Sequence, residues 1–339
     1  MGRKPLGKST KAFGAWADKQ LDAIAREEQA HLNPRSLLTL GSWNTWAGCM
    51  ADYLGKSEHV VDYVVEQAAK HDIIGLYEVH RPRRQCSVRF AGVAEPKGRP
   101  GRLDLELGER IHDRLKETHR IEFVSHFSET AFHDCEATDE PVDYGNMVLI
   151  KKELCRRPYK ISTEHVHIFG TGHLNSENKI TGKGRPASRN GIIVTTWFRG
   201  HPISILFAHG LWTMHGKVDI PARTAQSIYM ANAFVRHRTH KGIEPVAGAN
   251  ILMGDLNLQT KLEAMRQIQE RVDVFGPSGG VNLLPDMDTR TDMYPADKAT
   301  REANFVVISE QVVPWVQSCT LDKNARSDHV WTTLVIAPQ

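Results

Sequence analysis

From residue 36 onward, short apolar runs alternate with segments in which apolar side chains recur at helical spacing. LLTLGSW (37–43) and DIIGLY (72–77) are runs bounded by polar residues, as buried strands are. Between them Ser57 can cap a helix whose Val60, Val61, Val64 and Ala68 share one face. Residues 103–118 repeat the helical period. The pattern then becomes rich in strands through IEFVSHF, NMVLIKK, HVHIF, GIIVTTWF and PISILFAHG (202–210). Helices over 221–240 and about 260–271 flank the run ANILMGD, and NFVVIS and HVWTTLVIA add two strands near the end. This mixture predicts two packed sheets covered by helices, in one domain spanning 36–339. Residues 1–35 read as a separate basic extension, with a helix from Ala12 to His31 that Asn33-Pro34 stops.

Polar residues stand where several of these runs finish. Asn44 follows LTLGSW, Glu78 follows IIGLY, and His209 follows ISILFA. In ILMGDLNLQT (251–260), Asp255 and Asn257 lie two apart, on one side of the chain if it is still extended. Gly, Asp and Asn also form turns, so this stretch alone admits either a turn or a site. Ser327, Asp328 and His329 precede the last strand. Carboxylate and amide oxygens are ligands that a hard cation such as Mg²⁺ accepts, and imidazoles add proton transfer near neutral pH.

Composition narrows the class. A hydrophobic share of 40% and a charged share of 24% are those of a soluble globular chain. Net charge is only +3, so any affinity for polyanions must come from clustered cations rather than from the molecule as a whole. No stretch approaches the roughly 20 apolar residues of a membrane helix, and the basic N-terminus lacks the apolar segment of a secretory signal. Cys49, Cys86, Cys135, Cys155 and Cys319 show no paired short spacing, which argues against a disulfide framework or a zinc site. A cytoplasmic location is the expectation.

In this order, WNTWAG, GLYEVH, FAHGLW, GDLN and SDHV resemble the endonuclease/exonuclease/phosphatase superfamily, in its deoxyribonuclease I-like branch. The resemblance spans residues 36–337. It implies an α/β fold, a four-layered αββα sandwich of two mixed β-sheets flanked by helices, with the site at one rim. It also implies Mg²⁺- or Mn²⁺-dependent cleavage of phosphoester bonds. Carried over residue by residue, it makes Glu78 the main metal-binding carboxylate, helped by Asn44 and more distantly by Asp328. Asp255 would orient or deprotonate the attacking water, Asn257 would hold a phosphate oxygen, and His329 would contact the scissile phosphate. The family's usual partner of that histidine is an Asp opening the preceding strand; here ANFVVIS supplies Asn304. An amide can fix the ring but does not stabilise an imidazolium as a carboxylate does. Glu302, two residues earlier on the same side of an extended chain, is the competing partner.

His209 stands where abasic-site repair endonucleases of this superfamily carry tyrosine. Deoxyribonuclease I, the sphingomyelinases and the inositol phosphatases carry histidine there. The resemblance makes His209, or a metal-bound water, the proton donor to the leaving group. It gives Glu129 of HFSET as the carboxylate supporting His209, and Arg189 of SRNG as a phosphate contact.

Substrate class rests on loops. Residues 81–102 hold seven Arg or Lys, among them Arg81, Arg83 and Arg84, against one acid, Glu95. Rich in Pro and Gly, this segment reads as a loop leaving the catalytic rim, and a second basic loop, 178–191, leads to Arg189. Clustered cations beside a phosphodiester site favour a nucleic acid, because backbone phosphates dominate its binding. The expected activity is DNA endonuclease, with an inositol, lipid or other small phosphate ester as the alternative substrate. The exposed aromatic hairpin of a membrane-acting relative is missing; Trp212 and Met214 are the nearest candidates.

Overall fold

The structure is a computed structural model. It describes residues 36–45, 58–82, 107–119, 121–135, 140–155, 162–169, 173–174, 180–181, 185–186, 189–211, 216–235, 248–273, 279–292 and 301–339. In chain order its elements begin with β1 (Leu38–Asn44), α1 (Glu58–Lys70), β2 (Ile73–Pro82), α2 (Leu107–His119), β3 (Phe123–Cys135) and β4 (Glu140–Lys151). Then come β5 (Ser162–Phe169), the short β6 (His173–Leu174), β7 (Ile180–Thr181) and β8 (Arg185–Pro186), β9 (Arg189–Phe198), β10 (His201–His209) and α3 (Pro221–Ala231). The remainder is β11 (Ala249–Asp255), α4 (Glu263–Val272), β12 (Val281–Asn282), β13 (Asn304–Ile308), β14 (Val316–Asp322) and β15 (Trp331–Ile336).

Two six-stranded mixed sheets result, ordered β14-β15-β1-β2-β4-β3 and β12-β13-β11-β10-β9-β5. The expected four layers follow from how the apolar residues alternate. One face of each sheet meets the other sheet through residues such as Leu40, Tyr77, Ile150, Ile205, Phe207 and Met253. The outer face of the first sheet is covered by α1 and α2, with Val60, Val64, Ile111 and Leu115 packed on Trp43 and Trp331. The outer face of the second is covered by α3 and α4 through Met230, Met265 and Ile268. Strands buried on both faces read as continuous apolar runs, which is why they were legible.

Two sheet registers decide where the site lies. β1 runs parallel to β2 and β10 parallel to β11, with Asn44 opposite Tyr77 and His209 opposite Asp255. Both parallel pairs therefore end at the same rim, outside the carboxyl ends of their strands, where α/β sheets bind ligands. Just beneath that rim the Tyr77 hydroxyl donates to the Met253 carbonyl at 2.9 Å, joining the two sheets.

Some boundaries differ from expectation. β2 does not stop at Glu78; a bulge interrupts its pairing with β4, and the ladder resumes with Val79 opposite Gly145 and Arg81 opposite Asp143. Residues 79–82 are thus strand rather than loop. The helix expected over 221–240 runs Pro221–Ala231, and 236–247 lie outside the described residues, as do 1–35. β14 was not anticipated: its register slips between Val316 and Ser318, which breaks the two-residue alternation that marks a strand. Among the described residues no helix is long and apolar enough to cross a membrane, and Cys155 and Cys319 are free.

Gly254 is required by the closeness of β10 and β11, because a Cβ there would lie 1.8 Å from the Ala208 carbonyl oxygen. Backbone on both sides leaves that oxygen nowhere to go. Gly254→Ala is expected to destabilise the protein by more than about 3 kcal/mol, read as a lowered urea midpoint. An unchanged midpoint would show that the strands part freely and that the glycine is incidental.

Candidate active site

Both sheets deliver polar side chains to this rim. Asn44 ends β1, and its amide nitrogen donates to Glu78 at 3.2 Å and to Asp255 of the opposite sheet at 2.8 Å. Glu78 sits in the β2 bulge with φ 59°, a left-handed conformation unusual for a residue with a Cβ. Asn257, two residues beyond Asp255, has φ 52°, and its backbone N–H donates to Asp255 Oδ1 at 3.1 Å. That Asx turn folds the Asn257 side chain back, so its Nδ2 lies 3.4 Å from His209 Nε2 and 3.3 Å from the Gly210 carbonyl. The stretch GDLN is therefore both a turn and part of this cluster.

The histidines complete it. His209 Nε2 is 3.7 Å from both Glu78 Oε1 and Asp255 Oδ2. His329 Nε2 is 3.4 Å from Asp255 Oδ2 and 3.7 Å from Asp328 Oδ1. The other ring nitrogen of His329 lies 3.0 Å from Asn304 Oδ1, while the Asn304 Nδ2 donates to the Val330 carbonyl. An amide oxygen only accepts, so Nδ1 carries the proton and Nε2 is the nitrogen turned to the cluster. Trp43 Nε1 donates to the His329 carbonyl at 3.0 Å and Ser327 Oγ to the Asn44 carbonyl at 2.8 Å, which seats this loop on the end of β1.

Three carboxylates so close cannot all ionise freely. Burial pushes Glu78 up to about 7; the neighbouring Asp328 and Asp255 add to the rise, while the Asn44 amide opposes it. Burial alone would also raise Asp255, but His329, His209, Lys217 and the Asn44 amide outweigh it and hold that carboxyl below the usual range. Burial takes His209 down to about 3 against the pull of Asp255, with Arg189 and His329 adding to the fall. The expected proton donor to a leaving group is thus a neutral imidazole at physiological pH.

Among the described residues, no three of His, Cys, Asp and Glu close into a cage. Oxygen donors grouped around one partly open carboxylate fit a hard cation that keeps part of its water shell, as Mg²⁺ does. Glu78, with a 26% exposed side chain, is that carboxylate, and Asn44 and Asp328 stand beside it.

Solved structures share this architecture. An endonuclease/exonuclease/phosphatase family protein from Leptotrichia buccalis C-1013-b matches with TM-score 0.56 and 13% identity, over 88% of this chain and 99% of that one. The chain has the endonuclease/exonuclease/phosphatase fold. TDP2 from Caenorhabditis elegans matches it with TM-score 0.51 and 14% identity, over 91% of this chain and 76% of that one. The human Nocturnin catalytic domain, solved with a bound sulfate anion, gives TM-score 0.51 and 13% identity over 90% and 94%. No family model matches the chain, and no curated protein matches it in sequence.

Within this fold the sequence-predicted residues fall as follows. Asn44, Glu78, His209, Asp255, Asn257, Asp328 and His329 share one cluster, and Asn304 faces His329. The competing Glu302 is turned away: its carboxylate accepts from the backbone and hydroxyl of Thr260, both at 2.6 Å. Arg189 opens β9 half-buried, and its Nε donates to the Gly210 carbonyl at 3.0 Å, beside His209. Glu129 lies in β3 opposite Gly145, and Arg81 in β2 opposite Asp143; their side chains lie outside what is described. Arg83, Arg84, Trp212 and Met214 are likewise outside the described residues.

Two residues that sequence reading passed over also build the site. Arg223 and Gln226, buried on α3, hold the segment after His209. Arg223 Nη2 donates to the carbonyls of Leu211 and Gly216, each at 3.2 Å, and Gln226 Oε1 accepts from Leu211 N at 2.7 Å. An arginine in the apolar stripe of a helix was the available signal.

Glu78 gives a stability test. Its carboxyl is raised, so between about 4.5 and about 7 the folded protein keeps a proton that the unfolded chain has lost. Stability therefore falls as pH rises through that window, and the full loss is present above it. Glu78→Gln is expected to stabilise the metal-free protein by on the order of 2 kcal/mol at pH 8 and hardly at all near pH 4.5. Added Mg²⁺ should raise the melting temperature of the wild type but not of the variant. Equal melting temperatures at pH 8 would contradict the crowding of carboxylates described here.

Proposed function

We propose that this chain is a divalent-metal-dependent phosphodiesterase acting on nucleic acid, and specifically an endonuclease that cuts DNA. The observation that carries this reading is the convergence of Glu78, Asn44, Asp255, Asn257 and two histidines at one rim, from strands of both sheets. Three carboxylates beside amides and imidazoles suit a reaction in which a cation, an anionic phosphate and a water must meet. Supporting DNA over a small ester are the basic stretches 81–102 and 178–191, which flank Glu78 and Arg189 in the chain.

Glu78, with Asn44 and the more distant Asp328, would hold the cation. When bound, it would polarise a phosphoryl oxygen and stabilise the departing oxyanion. Asp255 is held ionised, which suits a base that orients water and takes its proton as the water oxygen attacks phosphorus. The P–O ester bond opposite then breaks, leaving a phosphomonoester and an alcohol whose oxygen takes a proton from solvent. Asn257 places an amide N–H for a phosphate oxygen, and His329 turns Nε2 to the same place, where it donates in the imidazolium form as charge accumulates during attack. His209, neutral, acts here as a hydrogen-bonding wall of the pocket, held in place by Asn257 and facing Glu78 and Asp255. Arg189 approaches from the second sheet and supplies a cation for a neighbouring phosphate.

Purified protein should be assayed in parallel on supercoiled plasmid, single-stranded RNA, and a panel of inositol and lipid phosphates, with Mg²⁺, with Mn²⁺ and with EDTA. The expected result is nicking of plasmid that EDTA abolishes and either ion restores. Cleavage confined to RNA, or to a small phosphate, would replace DNA as the substrate. Activity indifferent to EDTA would sink the metal-dependent reading itself.

A further inference from the structure

The segment after His209 carries a lysine that is buried, Lys217. Taking an ammonium out of water is unfavourable unless something compensates, and a methionine would fill similar space without that penalty. Charge is therefore what this position supplies. Its Nζ donates to the backbone carbonyl of Glu302. Glu302 lies two residues before Asn304, and its own carboxylate is clamped by Thr260, three residues past Asn257. Two residues after Lys217, Asp219 accepts from the backbone N–H groups of Glu263 at 2.8 Å and Ala264 at 3.1 Å, at the start of α4. On its other side the same segment is held by Arg223, which donates to the Gly216 and Val218 carbonyls.

The segment is thus a bracket between three strand ends: the end of β10 with His209, the end of β11 with Asp255, and the start of β13 with Asn304. The Lys217 charge also acts on Asp255 itself, in the same sense as the two histidines. We propose that Lys217 is a positioning residue for the phosphodiesterase reaction, tying the segment after His209 to the entry of β13. This rests on the function proposed above, although the brace itself can be tested without it.

Lys217→Met and Lys217→Arg should be compared with wild type by amide hydrogen exchange and by steady-state cleavage with Mg²⁺. In Lys217→Met, exchange is expected to quicken over 255–260 and 301–306 while β1 and β15 keep their protection. The turnover number is expected to fall on the order of 10–100-fold, with KM within about twofold, since a misplaced reacting group acts on the chemical step. Arginine should restore part of both. Unchanged exchange, unchanged turnover, or exchange quickened through every strand would each overturn the positioning role. If wild-type protein cleaves no phosphodiester, the proposed function fails, and the exchange pattern alone decides whether Lys217 is the brace.

Discussion

The Asn44 amide nitrogen is shared between Glu78 on its own sheet and Asp255 on the opposite one. Everything else at the rim depends on that shared donor, because it fixes how far apart two buried carboxylates from different sheets can be. It works only if the sheets stack in one register, and the Tyr77 hydroxyl on the Met253 carbonyl holds that register just below. Sheet packing is thus more than a scaffold for the site. A slip of one residue would turn Asp255 or Glu78 to the wrong face.

Much of the rim opposes stability. Glu78 and Asn257 occupy left-handed backbone, where strain is on the order of 1 kcal/mol or more for a residue other than Gly. Glycine would relieve it at 78 but would remove the carboxylate. Glu78, Asp255 and Asp328 repel one another, and His209 is buried at the cost of its charge. Folding alone would select against each of these features. Concentrated at one end of two sheets, they are what the proposed reaction would ask of this rim, with its cation and its anionic phosphate.

The fold was largely legible because its strands are buried on both faces and its helices keep one apolar stripe. Val60, Val61, Val64 and Ala68 do pack under the first sheet as their spacing predicts. β14 escaped because it is a half-exposed edge strand whose bulge spoils its alternation. Among site residues, those ending apolar runs were visible: Asn44, Glu78, His209 and Asp255 each come directly after a run of buried residues. What sequence cannot show is direction. It assigned Asn304 to His329 but kept Glu302 as a competitor, and the contact of Glu302 with Thr260 separates them. The stretch GDLN read alone admitted either a turn or a site, and the Asx turn makes the two one and the same. Lys217 and Gln226 were silent because their partners are backbone carbonyls and amides, which leave no trace in a list of side chains, and Arg223 showed only as a cation in an apolar stripe.

The central claim is that strands of both sheets assemble one cation site beside a carboxylate kept free to handle water. Anomalous diffraction from crystals soaked in Mn²⁺ tests it most directly. A peak at bonding distance from the Glu78 carboxylate, on the side of Asn44 and Asp328, with Asp255 facing the ion through water, is the predicted result. A peak ligated directly by Asp255 and His209, or none at this rim at saturating Mn²⁺, would contradict the account.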